Sequence, residues 1–254
     1  MSVTPERVRV LDVPIDFLDL SSGVEQVVSA AQERRFFQVA TVNLDFLVHS
    51  RRDDEVDRIL RGADLNVADG APVVWAGRCL GVRDAKRVAG VDLVLALAAE
   101  ASKRSLRVFL LGGEHGSAAG AAGALIAAYP ELAVGHFEPS RARLEEMQDA
   151  AILERIAADD PHILLVAFGH PKQEKWIRRN RAALPMVCIG VGGSLDLIAG
   201  RHPRAPRWMQ NAGLEWGFRL ACEPRRLTRR YASDAVSAVR ELLPWVLTKR
   251  LGRA

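Results

Sequence analysis

Three short apolar runs in the second half of the chain, each ending in glycine and each followed by a helical pattern, restrict the folds open to it. They read RVFLLGG at 107–113, HILLVAFG at 162–169 and PMVCIGVGG at 185–193. None shows the strict alternation of a strand with one wet face, so both faces of each are expected to be covered. Such strands alternating with helices give an α/β fold with a mostly parallel, Rossmann-like sheet flanked by helices. The expected helices here are SAAGAAGALIAAYP at 117–130, RLEEMQDAAILERIAADD at 143–160, PKQEKWIRRNRAAL at 171–184 and SLDLIAG at 194–200, with a short strand near 132–137.

The first half is less regular. A strand pair is expected over 7–20, a helix near 22–35 and a strand over 36–43. A charged helix at 53–63, a strand at 65–69 and a helix at 91–104 complete it. The expected organisation is an N-terminal α/β subdomain over 1–105, a nucleotide-binding subdomain over 106–200 and a basic C-terminal helical appendage over 201–254.

Charge sets the last segment apart. Residues 201–254 carry 12 Lys and Arg against 4 Asp and Glu, whereas residues 1–200 carry 23 against 27. A basic tail interleaved with Trp208, Trp216, Phe218 and Trp245 suits an anionic partner, and basic groups with interfacial aromatics can hold a helix on a membrane surface. An amphipathic set, Val236, Val239, Leu242, Leu243 and Val246, lies near the end, interrupted by Pro244. The alternative is a helical hairpin packed on the core or on a second copy. The longest apolar run, residues 93–99, falls far short of the roughly 18–20 needed to span a bilayer, and no signal-peptide order is expected at the N-terminus. Three widely spaced cysteines fit a reducing compartment rather than a disulfide framework.

In parallel sheets ligands bind at the carboxyl ends of the strands. Gly112 and Gly113, Gly169, and Gly192 and Gly193 mark three such ends, where backbone can approach a ligand and helix-start amides favour phosphate. The stretch GHPKQEKWI places Lys172, Gln173 and Glu174 at the second. Glu174 reads equally as a solvated first-turn residue or as part of a site. Gln173 can both donate and accept, which suits sugar hydroxyls, and Lys172 meets a phosphate or faces water. Thr41 and Asn43 share one side of another strand end. Asp69, before a glycine, reads as a turn former or cap, or as a general base.

The expected cofactor and metal complement is none. GxGxxG, P-loop, HExxH and Asp-x-Asp patterns are all missing from the sequence. That weighs against a nicotinamide-dependent oxidoreductase, the competing enzyme class. A nucleic-acid-binding module rests on the tail's charge alone, and no nucleic-acid partner is expected.

The motifs TVNLDF, ADGAPVVW, RVAGVDL, FLLGG, GHPKQEKWI, GVGGSLDLIAG, RAPRWMQNAGLEWGFRL and EPRRLTRR, in this order, resemble those of the WecG/TagA/CpsF glycosyltransferases, glycosyltransferase family 26, over residues 8–231. The resemblance implies a bacterial, metal-independent, inverting enzyme on the cytoplasmic face of the membrane. Such enzymes transfer a sugar of N-acetylmannosamine, N-acetylmannosaminuronate or glucose type from a UDP-sugar to a polyprenyl-diphosphate-linked saccharide. Their products serve teichoic acid, common antigen or exopolysaccharide synthesis. It also implies Asp69 as base, Thr41 and Gln173 as polar partners, and Arg219, Arg226 and Arg229 closing over the diphosphate and helping dock the enzyme on the membrane; homo-oligomers remain open. His136 departs from the family pattern, where a tyrosine is frequent.

Overall fold

The antiparallel pair β1 (Glu6–Val10) and β2 (Val13–Phe17) forms one edge of the sheet, turned by Leu11 and Asp12, both at positive φ. The computed structural model describes residues 6–251, except the side chains of Asn211, Arg226, Arg229, Arg230, Arg250 and Leu251. The chain continues through α1 (Leu20–Gln32), β3 (Phe37–Val42), α2 (Leu44–Ser50), α3 (Asp54–Arg61), β4 (Leu65–Ala68), α4 (Ala71–Cys79) and α5 (Gly90–Lys103). There follow β5 (Val108–Gly112), α6 (Ser117–Ala128), β6 (Val134–Phe137), α7 (Asp149–Asp159), β7 (Ile163–Ala167), α8 (Lys172–Arg179), β8 (Val187–Gly190) and α9 (Ser194–Ile198). The last segment is helical: α10 (Arg207–Asn211), α11 (Glu215–Cys222), α12 (Pro224–Ser237) and α13 (Leu243–Leu251).

Among the described residues eight strands form one sheet in the order β1-β2-β4-β3-β8-β7-β5-β6, parallel except for the first pair. Neighbouring side chains on each strand enter opposite cores. Val39, Leu110, Leu165 and Ile189 pack with α1, α5, α6 and α9. Ala40 packs on the other face with α2, α3, α4 and α13, and Phe109, Leu164 and Cys188 pack there with α7 and α8. The sheet is therefore apolar on both faces, which is why the strands read as continuous apolar runs. The connection leaving β5 crosses one face and that leaving β7 the other, so the winding diverges between these neighbours, and in sheets of this kind ligands bind outside the carboxyl ends at such a point.

Several boundaries differ from the sequence expectation. The helix expected over 143–160 begins at Asp149, after a single 3-10 turn at Leu144–Glu146. The helix expected over 171–184 ends at Arg179, where the Asn180 side chain donates to Trp176 O. Two helices, α2 and α4, were not expected at all. Asn43 caps α2 by accepting from Phe46 N, and Pro72 opens α4, where its missing N–H costs nothing.

The expected interruption at Pro244 is absent. A π-helical turn, Ala238–Leu242, joins α12 to α13, and Pro244 sits in the first turn of the new helix. This helix sorts the apolar residues of the tail. Leu242 and Val246 are buried against α2, α4 and β1, while Val236, Val239, Leu243 and Leu247 are exposed. Arg51 and Arg52 both pair with Glu241 and fasten the same stretch to the core.

Candidate active site

The carboxyl ends of five adjacent strands form one edge of the sheet. Asp69 follows β4; Thr41 and Asn43 lie at β3; Gly190, Gly192 and Gly193 at β8; Gly169 and Gln173 at β7; and Gly112 and Gly113 at β5.

Asp69 is anchored by its backbone, which donates to Val42 O at 2.8 Å and continues the parallel ladder past β4. Gly70 then adopts φ of 104°, open to glycine, and turns the chain into α4. Asp69 does not cap that helix, which has no side-chain cap. Its Oδ2 instead accepts a long hydrogen bond, 3.5 Å, from Gly90 N at the start of α5. Burial pushes the half-covered carboxyl up to about 6; the Arg87 and Arg219 cations and the Gly90 amide pull the other way, and the Glu215 anion adds to the rise. A carboxylate poised there can accept a proton near neutral pH.

Thr41 is almost fully buried, and its hydroxyl donates to Gly190 O at 3.1 Å. A methyl placed on Gly90 would sit 3.1 Å from Ser194 Oγ and 3.8 Å from Thr41 Oγ1. Thr41, Ser194 and the Gly90 amide therefore converge on the region that Asp69 faces. Asn43 borders the Asp69–Gly70 turn, but its oxygen is committed to the cap of α2 at 3.3 Å.

The polar cluster opening α8 is buried. Gln173 is 2% exposed and Glu174 1%, which corrects the reading of Glu174 as a solvated first-turn residue. Gln173 Oε1 accepts from Gly169 N at 3.2 Å and from Gly192 N at 3.1 Å, so one amide oxygen ties the β7 loop to the β8 loop. Gln173 Nε2 donates to Glu174 Oε1 at 2.7 Å. Lys172 is half-buried, and its ammonium donates to Ala142 O at 2.7 Å over the Phe168 ring. Burial, and then Arg141, lower its pKa.

The phosphate seat expected at α6 is also filled. Glu138 accepts from Gly116 N at 2.7 Å and Ala118 N at 2.6 Å, so a carboxylate of the chain itself holds that helix start. Gly113 donates to Ala167 O at 2.9 Å, and Glu114 N donates to Asp196 Oδ1 at 3.1 Å, so the β5 loop bridges β7 and α9. His136 is exposed on β6, the far edge strand.

The C-terminal helices reach this edge through Arg219. Its Nη2 lies 3.6 Å from a methyl placed on Gly193, and its buried Nε finds no partner among the described residues. The side chains of Arg226 and Arg229 lie outside the described residues. Arg87, Glu215, Gly190 and Ser194 were not singled out from the sequence. Among the described residues no three His, Cys, Asp or Glu side chains stand together as a metal-binding group, and no helix is long and apolar enough to cross a membrane.

Comparison with known proteins places these features in one family. The model of the Glycosyl transferase WecG/TagA/CpsF family matches residues 8–252. The N-acetylglucosaminyldiphosphoundecaprenol N-acetyl-beta-D-mannosaminyltransferase of Bacillus subtilis (strain 168) is 32% identical over 193 residues, covering 75% of this chain and 73% of the relative. With nearly the whole chain matched, from the β1 strand to the last helix, the protein belongs to the WecG/TagA/CpsF family of glycosyltransferases.

Proposed function

We propose that the chain transfers a sugar of N-acetylmannosamine type, with inversion and without a metal, from a UDP-sugar to a polyprenyl-diphosphate-linked saccharide. The observation that carries this reading is the Asp69 carboxyl at the β4 end, held near pKa 6 beside the Gly90 amide and within the field of Arg87 and Arg219. In the reaction Asp69 takes the proton from the acceptor hydroxyl, and that oxygen bonds to the anomeric carbon. The bond from this carbon to the diphosphate breaks, and UDP leaves with the electron pair. Charge accumulates on the leaving diphosphate, and Arg219, beside Gly193, is positioned to balance it. Thr41 and Ser194 supply hydroxyls to orient the sugar, and Arg226 and Arg229 belong to the same proposal through their motif.

The relative's name supports the choice of sugar and of a lipid diphosphate acceptor. A lipid acceptor also gives a use to the exposed stripe Val236, Val239, Leu243 and Leu247, flanked by Arg240 and Lys249, as a peripheral contact with the inner face of the cell membrane. The test is product analysis with UDP-N-acetylmannosamine, UDP-N-acetylmannosaminuronate and UDP-glucose against a synthetic prenyl-diphosphate N-acetylglucosamine. Formation of a β-linked disaccharide from the first donor supports the proposal. Absence of UDP binding by calorimetry together with no product from any donor overturns it.

A further inference from the structure

Glu174 is the most buried ionisable side chain at the sheet edge, and the reaction proposed above does not use it. It lies at 1% exposure in the first turn of α8 with each carboxylate oxygen engaged. Oε1 accepts from Gln173 Nε2 at 2.7 Å, and Oε2 stands 3.0 Å from His170 Nδ1. The His170 ring is itself clamped, stacked on Phe46 at 3.7 Å between centroids and met edge-on by His49. Its Nε2 is buried without a partner among the described residues, so the proton belongs on Nδ1, facing the carboxylate.

From these contacts we infer that Glu174 is a positioning residue: through Gln173 it fixes the two glycine loops on which the donor nucleotide rests. The chemistry is one of donor and acceptor matching. Gly169 N and Gly192 N both point at the Gln173 side-chain amide, and only its oxygen can receive them. Turned over, the amide would present its NH2 to two part-buried N–H donors and its oxygen to the Glu174 carboxylate, and lose all three hydrogen bonds. Glu174 removes that alternative by accepting from Nε2. The pair fits flat on β8 because position 190 is glycine: a methyl there would lie 2.5 Å from Gln173 Nε2 and would also clash with Glu174 Oε1. The same residue's carbonyl accepts from Thr41, so the hydrogen-bonded trio His170, Glu174 and Gln173 packs against the glycine of β8 that Thr41 holds from β3.

The inference rests on the proposed UDP site, and the experiment separates the two. UDP affinity is measured by calorimetry for the wild type, Glu174→Ala, Gln173→Ala and the double variant, together with donor KM and kcat. The expected result is a loss of UDP affinity of about tenfold or more in Glu174→Ala, with the double variant no weaker than Gln173→Ala alone. Glu174→Gln keeps an acceptor for Nε2 and is expected to cost only about threefold. Its NH2 faces His170 Nδ1, so the imidazole proton is expected to move to Nε2, read from the ring 15N shifts. If Glu174→Ala is too unstable to assay, the 15N shifts and UDP affinity of Glu174→Gln decide alone. Wild-type binding with undiminished affinity in Glu174→Ala overturns the inference, as do additive losses in the double variant. A folded Glu174→Gln that loses affinity tenfold or keeps the Nδ1 proton overturns it too. A wild type that ignores UDP overturns the site itself.

Discussion

Arg87 donates to Glu215 across 2.9 Å, both side chains largely buried, and the pair joins the loop before α5 to the first turn of α11. It fastens the C-terminal helices beside Asp69, on which its two charges act oppositely: Arg87 favours the ionised carboxyl and Glu215 opposes it. The first expectation follows from that opposition. If Asp69 is the base, the rising limb of the pH profile of kcat/KM reports its ionisation, with low activity below about 6 and a plateau above. Arg87→Ala removes the cation and should move the limb to higher pH; Glu215→Gln should move it lower. The midpoint is the readout, because either change will also lower the plateau. Limbs that stay fixed in both variants would remove Asp69 as the titrating group.

Asp69→Asn should lower kcat by about 10²–10⁴, the usual reach of a positioned general base, and leave UDP affinity within about threefold. It should also stabilise the fold, in a pH-dependent way. The carboxyl is pushed from 3.8 to about 6 on folding, so the cost of its charge is present above the folded value and vanishes below the unfolded one. A full shift of this size corresponds to about 3 kcal/mol, and partial exposure reduces it to on the order of 1–2 kcal/mol. Denaturant midpoints should therefore favour Asp69→Asn at about pH 8 and converge with the wild type at about pH 3, below the unfolded value.

The parts of this architecture legible in the sequence are those fixed by burial on both faces. The strands ending at Gly112, Ala167 and Gly190 stand out because each side of them must be apolar. α2 and α4 did not, because the polar caps and turn residues at their starts, Asn43 and Asp69-Gly70, read as strand ends carrying chemistry. Polar residues hid their own burial. Nothing local distinguishes a Lys-Gln-Glu run facing water from one facing two glycine loops, since the partners, Gly169 N, Gly192 N and Ala142 O, come from elsewhere in the chain. Glu138 and Arg87 are the same case, with partners 20 and 128 residues away.

Gly190→Ala tests the buried polar trio from below. The added methyl meets both Gln173 Nε2 and Glu174 Oε1, and neither can retreat while holding its other partners. Overpacking of this kind costs about 1–3 kcal/mol. The variant should unfold at lower denaturant and lose UDP affinity together, whereas Gly123→Ala, on the open surface of α6, should leave UDP affinity unchanged and raise stability by about 0.5–1 kcal/mol through helix propensity.

The tail calls for point variants rather than truncation. Cutting the chain before α10 removes Arg219 and also uncovers the core that Leu242 and Val246 fill, so loss of activity would have two causes. The two faces of the last helix separate them. Leu242→Ala leaves a cavity beneath α13 and should cost about 2–4 kcal/mol. Val239→Glu and Leu247→Glu alter positions 65% and 50% exposed, so stability should stay within about 0.5 kcal/mol. If the outer stripe meets the membrane, this second pair should lose sedimentation with anionic vesicles and turnover of a long-chain acceptor carried in them, yet keep turnover of a short, water-soluble prenyl analogue. Equal loss on both acceptors would place the stripe against protein instead.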